Sequence, residues 1–341
     1  MGRIITFGEI MLRLAPEGCC RFFQNDRMQA TFGGAEANVA VSLSNFGEDV
    51  SFVSKVPANA VGKAAIDSLR YFGVDVSFAA QGGERLGIYY LEKGTNQRGS
   101  VCIYDRKGSA ISTADKSDFD WDTIFSGADW FHFTGITPAL STSLADICLE
   151  AVKEAKTRGI TVSCDLNYRS KLWSTDAARE CMTQLCRYID VCIANEEDAK
   201  NVFGIEAENT DVFAGKLNKE GYEEVAKKLT DMFGFDCVAI TLRTSHSATV
   251  NDWAGMLYHN NTACYSKEYR FDNIVDRVGG GDSFGAGLIY GLRRYNDDQK
   301  AIDFAVAASA LKHTIEGDFN RVSVEEVEKL MGGDASGRVQ R

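Results

Sequence analysis

The chain has 341 residues, of which 45% are hydrophobic and 25% are charged, and its formal net charge is −11. This composition is typical of an ordinary globular protein with a large core, and the length allows one or two domains. The acidic balance, without any run of Lys and Arg, argues against nucleic acid and anionic membranes as partners. Residues 1–14 are too short and too polar for a signal peptide or a membrane span. Ten scattered cysteines without a Cys-x-x-Cys pair favour buried thiols in a reducing compartment, so we expect a cytoplasmic protein.

Short β-rich runs alternate with helical periods along most of the chain. The predicted strands are 4–7, 50–53, 130–133, 160–164, 191–193 and 238–242. The predicted helices are 35–46, 61–72, 143–157, 176–187, 197–203, 220–233, 283–294, 299–315 and 323–331. Alternation of this kind with short connections predicts an α/β fold, a doubly wound, mostly parallel sheet with helices on both faces.

Two segments, 12–32 and 86–113, have extended periods without helices. We expect them to form a small antiparallel sheet that stands off the main one as a lid over a crevice. Its outer face could also pair two subunits. The alternative is that these segments only extend the edge of the main sheet and have no role as a lid. The α/β core would then comprise the ranges 1–11, 33–85 and 114–331, followed by a frayed tail at 332–341.

A run of three glycines ends in a carboxylate, Asp282, just before the helical period 283–294. Glycines leave backbone N–H groups bare, and a helix N-terminus attracts anions, so this corner could hold a phosphate. A carboxylate at its edge could orient and deprotonate an attacking alcohol, as phosphoryl transfer requires. The alternative is an ordinary turn before a helix.

Polar clusters stand at the ends of three predicted strands, at 165–169, 195–198 and 241–246. Ligands of open α/β sheets bind beyond the carboxyl ends of the strands, although any one such cluster could be only a helix cap. The chain has no Gly-x-x-x-x-Gly-Lys-[Ser/Thr] motif, and no Gly-x-Gly-x-x-Gly follows the first strand. A P-loop enzyme is therefore excluded, and a dinucleotide-binding protein is disfavoured.

Segments 33–38 (Gly-Gly-Ala-Glu-Ala-Asn) and 276–282 (Asp-Arg-Val-Gly-Gly-Gly-Asp) resemble the two signatures of the ribokinase-like (PfkB) carbohydrate kinases, at the family's usual spacing. The resemblance implies a phosphotransferase that uses magnesium-ATP to phosphorylate a sugar hydroxyl beneath a β-sheet lid. It implies that Asp282 is the catalytic base and that the anion hole comprises Gly279, Gly280 and Gly281. By the same resemblance, the residues that hold sugar hydroxyls are Gly33, Gly34 and Asn38.

At the nucleotide end the resemblance implies a second group of residues. The candidates for nucleotide binding are Asn167, Asn195, Thr241, Arg243, Gly279 and Gly281. Asn195 with a nearby acid, Asp198 or Glu197, would hold Mg²⁺ through water, and a monovalent cation is a further candidate cofactor. The chain departs from the family pattern at Arg277, usually threonine, at Asp198, usually glutamate, and at Arg243, usually glycine.

The sugar is inferred from Arg106 and Arg169, because a neutral sugar does not need two guanidinium groups whereas a carboxylate does. Residues 89–90 and 104–106, with segment 165–169, resemble the 2-keto-3-deoxygluconate kinase branch of the family. The resemblance assigns the keto-acid to Tyr90, Tyr104, Arg106, Arg169 and Asp318, with Arg106 the most discriminating. Alternatives are a surface ion pair of Arg106 with Asp105 or another lid acid, and simple core packing of the tyrosines. Only one of Tyr89 and Tyr90 can point inward.

Three functions remain in competition. The first is an ATP-dependent kinase that phosphorylates the terminal hydroxyl of 2-keto-3-deoxygluconate, giving 2-keto-3-deoxy-6-phosphogluconate and ADP, with the gluconate and galactonate series not distinguished. The second is a fructokinase or another neutral-sugar or nucleoside kinase of the same fold, and the third is a non-catalytic sugar- or nucleotide-binding protein. We expect Asp282 to stay ionised at a helix N-terminus, which would make it a weak base. We also expect a homo-oligomer.

Overall fold

The computed structural model of the protein describes residues 1–195, 197–206 and 219–333. Its strands are β1 (Arg3–Phe7), β2 (Met11–Pro16), β3 (Met28–Gly33), β4 (Val50–Val56), β5 (Ala79–Gln81), β6 (Gly87–Glu92), β7 (Val101–Asp105), β8 (Ala128–Thr134), β9 (Thr161–Asp165), β10 (Val191–Asn195), β11 (Cys237–Ser245), β12 (Asn251–His259), β13 (Thr262–Tyr265) and β14 (Tyr269–Phe271). Its α-helices are α1 (Ala35–Asn45), α2 (Ala60–Arg70), α3 (Trp121–Ile124), α4 (Ile136–Ala139), α5 (Thr142–Thr157), α6 (Thr175–Leu185), α7 (Asp198–Phe203), α8 (Lys219–Phe233), α9 (Gly280–Arg294), α10 (Asp298–Lys312) and α11 (Val324–Met331). Within the described ranges, none of these helices is long and apolar enough to cross a membrane.

The main sheet has the strand order β13-β12-β11-β10-β9-β8-β1-β4-β5, and β14 also pairs with β12. All neighbours from β11 to β5 are parallel, which confirms the predicted doubly wound, mostly parallel sheet. The antiparallel edge formed by β12, β13 and β14 was not predicted. Strand β12 contains no Val, Ile or Thr and has Gly255 at its centre, so its composition does not mark it as a strand.

The core lies on both faces of this sheet. On one face, β-strand side chains such as Phe131 and Val162 pack against α5, α6 and α8. On the other face, a second cluster joins α1, α2, α9 and α10, with Phe304 and Phe284 fully buried. Burial of helices on both faces is what keeps the strand ends in fixed positions, and the candidate site depends on those positions.

A second sheet has the order β3-β2-β6-β7 and is separate from the first, as predicted; we call it the small sheet. The expectation that it is antiparallel throughout is wrong, because β2 and β6 are parallel. The chain leaves the small sheet after β3, passes through α1 to β5 in the core, and returns at β6, so no hairpin joins β2 to β6. The inner face is packed through Met11, Ala15, Tyr89 and Leu91.

The predicted tail 332–341 follows α11, which ends at Met331. Only Gly332 and Gly333 of that tail belong to the described residues, and 334–341 lie outside them. Glu196, one member of the polar cluster 195–198, also lies outside them.

Candidate active site

A crevice of about 550 Å³ opens at the carboxyl ends of β9, β10 and β11. Its other walls are the N-terminal ends of α1 and α9 and the inner face of the small sheet. Asp165 and Asn195 end their strands there, as expected for ligand-binding groups of a parallel sheet. Thr241 also faces the crevice, and it lies within β11, which continues to Ser245, three residues beyond the predicted end at 242.

The glycine run forms the first turn of α9. Helix α9 begins at Gly280, three residues earlier than predicted, and Gly279 precedes it with a left-handed φ of 82°. A Cβ on Gly279 would lie 2.2 Å from the carbonyl oxygen of Asp318, so only glycine fits this position. The amide of Gly280 donates to the carbonyl of Arg277 at 3.3 Å, which removes it from the predicted anion hole.

The amides of Gly279, Gly281 and Asp282 have no acceptor among the described residues. Gly279, Gly281 and Asp282 all face the crevice, while Gly280 does not. Three unpaired N–H groups at the start of a fifteen-residue helix form a cradle suited to an anion. The open amides are therefore those of Gly279, Gly281 and Asp282, one residue displaced from the predicted set 279–281, and their role as an anion hole stays a prediction.

The carboxylate of Asp282 lies at the lip of this cradle. Its Oδ2 accepts a hydrogen bond of 2.6 Å from Nδ2 of Asn38, on α1. Desolvation by the surrounding protein, together with the charges of Asp318 and Glu36, raises the pKa of Asp282 to about 7. The expectation of an ordinary ionised carboxylate is therefore wrong, because burial outweighs the helix N-terminus. A base with a pKa near neutrality is better matched to proton transfer from an alcohol.

Helix α1 is held at its start by Glu36, whose importance sequence reasoning missed. Its Oε1 accepts from the amide and hydroxyl of Thr134 at 3.0 and 2.7 Å and from the hydroxyl of Thr137 at 2.7 Å. Burial raises the pKa of Glu36. These bonds tie α1, and with it Asn38, to the carboxyl end of β8.

The sugar end of the crevice is lined by the inner face of the small sheet. Tyr89 and Tyr104 face it with ring centroids 6.0 Å apart, whereas Tyr90 points to the opposite face. Side chains alternate along β6, and Tyr89 shares the buried inner face with Leu91, so Tyr90 lies on the other face. The assignment of a substrate contact to Tyr90 is therefore wrong by one residue. Burial raises the pKa of Tyr104 to about 12, so its hydroxyl stays protonated and can donate to a ligand.

The two predicted arginines differ in their surroundings. Arg106 is buried, and both Nε and Nη2 donate to the carboxylate of Glu9. It is not paired with Asp105, which instead binds Arg85. Nη1 of Arg106 has no acceptor among the described residues, and the guanidinium stands 5.5 Å from the ring centre of Tyr104.

Arg169 is exposed in the crevice, and its Nη1 donates only to the neighbouring carbonyl of Tyr168 at 3.2 Å. Arg106 is paired directly with Glu9, whereas Arg169 lies near the negative charges of Asp165, Asp198 and Asp282. That Arg106 is the more discriminating of the two stays a prediction.

Asp318 lies beneath the glycine turn, where it is almost fully buried. Its carboxylate accepts from Nη1 of Arg13 at 2.7 Å and from the hydroxyl of Tyr89 at 2.6 Å. Gly33 lies directly against it, since a Cβ there would be 2.1 Å from Oδ2 of Asp318. Gly33 thus faces Asp318 and not the crevice, while Gly34 does line the crevice. Any contact of Asp318 with a ligand would compete with these bonds.

The nucleotide end is formed by the predicted residues Asn167, Asn195, Thr241 and Arg243, all of which line the crevice. Asn167 is buried and adopts a left-handed φ of 42°, with its amide donating to Asp165 at 3.1 Å. Such a conformation is unusual outside glycine and is tolerated by asparagine. That Asn167, Asn195, Thr241 and Arg243 contact a nucleotide stays a prediction.

Asp198 is buried at the start of α7, and its two oxygens accept from the amides of Tyr168 and Asn195 at 3.0 Å each. Desolvation raises the pKa of Asp198. Desolvation also raises the pKa of Asp165, and the charges of Asp198 and Asp282 add to that shift. The charge of Arg169 opposes the repulsion among the three carboxylates at this corner of the crevice, and a bound cation would relieve it further.

Residues 1–321 match the profile of the pfkB family carbohydrate kinases. The chain belongs to this family. The predicted recognition, the fold and an enzyme that transfers a phosphoryl group to an alcohol are thereby confirmed.

The structure of a 2-dehydro-3-deoxygluconokinase from Thermotoga maritima superposes with a TM-score of 0.94; it is 51% identical and covers 97% of this chain and 98% of its own. A 2-dehydro-3-deoxygalactonokinase from Haloferax volcanii is 32% identical over 97% of this chain and 98% of its own length. A 2-dehydro-3-deoxygluconokinase from Bacillus subtilis is 26% identical over 94% and 93%.

Proposed function

We propose that the protein transfers the γ-phosphoryl group of ATP, with Mg²⁺, to the terminal hydroxyl of 2-keto-3-deoxygluconate, which gives 2-keto-3-deoxy-6-phosphogluconate and ADP. One observation carries the proposal: a single crevice holds both halves of the reaction. At one end, the unpaired amides at the start of α9 lie beside Asp282, whose pKa is about 7; at the sugar end lie two guanidinium groups. The names of the similar proteins from Thermotoga maritima and Bacillus subtilis agree with this substrate.

A carboxylate-bearing substrate is supported by the residues at the sugar end. Arg169 offers an exposed guanidinium, and Arg106 offers the Nη1 edge that Glu9 leaves open. Guanidinium groups bind carboxylates through paired, charge-assisted hydrogen bonds. Tyr89 and Tyr104 provide a flat apolar wall, and the hydroxyl of Tyr104 is a donor for a keto or hydroxyl oxygen.

A position for ATP at the strand ends is supported by Asn167, Asn195, Thr241 and Arg243, which all line the crevice there. Arg277, a departure from the family pattern, lines the same crevice as Arg243. Desolvation lowers the pKa of Arg277, and the charge of Arg243 adds to that shift. Two guanidinium groups close together are unfavourable unless an anion lies between them. A triphosphate supplies that anion, so we assign Arg277 to the nucleotide as well.

Mg²⁺ fits the acids of this corner. The described residues contain no group of three or more His, Cys, Asp or Glu side chains arranged to enclose a metal. Mg²⁺ in phosphoryl-transfer enzymes uses one or two carboxylates plus substrate phosphates and keeps several waters, so a closed cage is not needed. Asp198, with Asn195 beside it, would hold the hydrated ion, which when bound would neutralise charge on the phosphates.

The residues of the chain itself then divide the work. Asp282, ionised above its pKa of about 7, accepts the proton of the sugar hydroxyl, and Asn38 holds the carboxylate in place. The amides of Gly279, Gly281 and Asp282 stabilise negative charge on the migrating phosphoryl group. The small sheet acts as a lid that excludes water, which favours transfer to the sugar over hydrolysis.

The test is ADP release with ATP, Mg²⁺ and a panel of acceptors: 2-keto-3-deoxygluconate, its galactonate epimer, fructose and a nucleoside. We expect the keto-acids to be the only efficient acceptors, with the phosphate ester on the primary carbon in ³¹P spectra. The name of the similar protein from Haloferax volcanii makes the galactonate epimer the second candidate substrate. Fructose as the best acceptor would overturn the sugar-acid assignment, and ligand binding without ADP release would favour a non-catalytic protein.

A matched pair of variants tests the carboxylate contact. Arg169→Met should raise the KM for the keto-acid by about 10- to 100-fold, the value of a charge-assisted hydrogen bond of about 1.5–3 kcal/mol. Arg187→Met, an exposed arginine after α6, is the control and should leave the KM unchanged. Equal KM values in the two variants would contradict the proposed position of the carboxylate.

A homo-oligomer is proposed from the outer face of the small sheet. Val101 and Ile103 are 43% and 51% exposed there, next to Ile88, Tyr90 and Leu14. An exposed apolar sheet face suits a second copy of the chain. Ile103→Asp should convert the oligomer to monomer in light scattering, and a monomeric wild-type protein would refute this assembly. A cytoplasmic location remains a prediction.

A further inference from the structure

Lys312, the last residue of α10, is fully buried although lysine is rarely found inside a protein. Its Nζ donates to the carbonyl oxygens of Ile315 at 3.2 Å and Asp276 at 3.5 Å. Desolvation lowers the pKa of Lys312, and the charges of Asp276 and Asp318 oppose that shift. An ammonium group buried at this cost needs a role that an apolar side chain cannot fill.

Lys312 belongs to a buried group of four charges beneath the glycine turn. Arg13 bridges Asp276 and Asp318 at 2.5 and 2.7 Å, and all four residues are at most 4% exposed. With two cations and two carboxylates the group is neutral, and Lys312 supplies one of the two positive charges. Removing its ammonium would leave a net negative charge directly below the anion hole.

The contact with the turn is direct. Asp276 begins the segment 276–281, and its carboxylate also accepts from the amides of Val278 and Gly317 at 3.1 and 3.2 Å. Cε of Lys312 would lie 3.3 Å from a Cβ on Gly279, so the lysine stem packs under the left-handed residue of the turn. The position of the open amides therefore depends on what holds the carbonyl of Asp276.

We propose that Lys312 is a positioning residue that acts as an internal cation, holding the carbonyls of Asp276 and Ile315 so that the amides of the anion hole keep their geometry. The role in turnover rests on the proposed phosphoryl transfer. Carbonyl oxygens that converge on an ammonium group would also bind a free monovalent cation of similar size. Because Lys312 fills that place, the wild-type protein has no requirement for a monovalent cation, although the sequence made such a cation a candidate cofactor.

The first measurement uses the wild-type protein. With tetramethylammonium, which is too large for the site, as the only monovalent cation, turnover should stay within twofold when K⁺, Na⁺ or NH₄⁺ is added. Saturable activation of tenfold or more by K⁺ would overturn the proposal, because a cation other than Lys312 would then be needed.

The second measurement uses Lys312→Ala, which removes the ammonium and leaves room for an ion. Its kcat should fall at least tenfold with little change in the KM of the sugar, and NH₄⁺ or K⁺ should restore it in a saturable manner. Lys300→Met, on the exposed part of α10, should show neither loss nor rescue. A loss that no cation restores would indicate a merely structural lysine and would refute the proposal.

A readout without turnover keeps this test separate from the substrate assignment. NH₄⁺ should raise the Tm of Lys312→Ala but not that of the wild-type protein, whatever the acceptor is. If the variant is too unstable to purify, Lys312→Ser, which also leaves room for an ion, takes its place in the same measurement. If NH₄⁺ raises the Tm of the variant but the protein does not phosphorylate the sugar acid, only the proposed function is refuted. If NH₄⁺ does not raise the Tm, the proposed role of Lys312 is refuted.

Discussion

The hydrogen bond from Asn38 to Asp282 gives a quantitative prediction for the pH dependence of the reaction. The bond of 2.6 Å favours the ionised carboxylate, so the pKa of about 7 in the intact protein is lower than burial alone would make it. A hydrogen bond to a charged group contributes about 1.5–3 kcal/mol, which at about 1.4 kcal/mol per pKa unit corresponds to about one to two units. In Asn38→Ala the pKa of Asp282 should accordingly rise to between about 8 and about 9.

The sign of the effect on rate follows from the role of Asp282 as a base. At pH 7 the ionised fraction should drop from about one half to between about one tenth and one hundredth, and alkaline pH should restore the rate. The assay is kcat from about pH 5 to about pH 10 with both substrates saturating, which separates this effect from a weaker sugar contact. Rates are compared with the activity of each protein on its alkaline plateau.

Asn45→Ala is the matched control for this prediction. Asn45 lies on the same helix, α1, and its Nδ2 donates to the carbonyl of Asn320 at 2.7 Å, outside the crevice. The acid limb of the kcat–pH profile of Asn45→Ala should coincide with that of the wild-type protein. If the acid limb of Asn38→Ala also stays in place, Asp282 is not the group that titrates in turnover.

Three further predictions concern the base, the turn and the buried ion pair. Asp282→Asn should lower kcat by about 10²–10⁴-fold. Because the pKa of Asp282 in the folded protein, about 7, lies above the ordinary 3.8, ionisation of this carboxyl destabilises the wild-type protein as pH rises. The Tm of the variant should therefore exceed that of the wild-type protein at pH 8 but not at pH 4. Gly279→Ala should abolish activity or folding, since its Cβ would lie 2.2 Å from a carbonyl oxygen, whereas Gly281→Ala meets no atom within 4 Å and should keep the wild-type midpoint in urea. Arg106→Ala should raise the KM for the sugar acid and lower stability by about 3–5 kcal/mol in denaturant titration, because it leaves Glu9 buried without its partner; a loss below about 1 kcal/mol would show that the pair is not buried in solution.

Local pattern was sufficient for strands with runs of β-branched or aromatic residues and for helices with a clear stop. The predicted helices and strands of the main sheet lie within a few residues of the observed ones, and α9 is displaced at its start because glycines have low helix propensity. Strand β12 was not predicted because it contains no Val, Ile or Thr and has Gly255 at its centre. The glycine run and its carboxylate were recognisable because the chemistry is concentrated in contiguous residues.

Contacts between distant segments decided everything else about the site. Glu9 reaches Arg106 across 97 residues, and Arg13 reaches Asp318 across 305, so no local pattern could pair them. The choice of Tyr89 over Tyr90 depends on which face of the small sheet meets the core, and a shift of one residue reverses it. The pKa of Asp282 depends on the protein packed around it, because desolvation acts through the whole surrounding volume and not through neighbours in sequence. Residue identity thus determined which chemistry was available, and burial in the folded chain determined the charge state and the partners with which each group would use it.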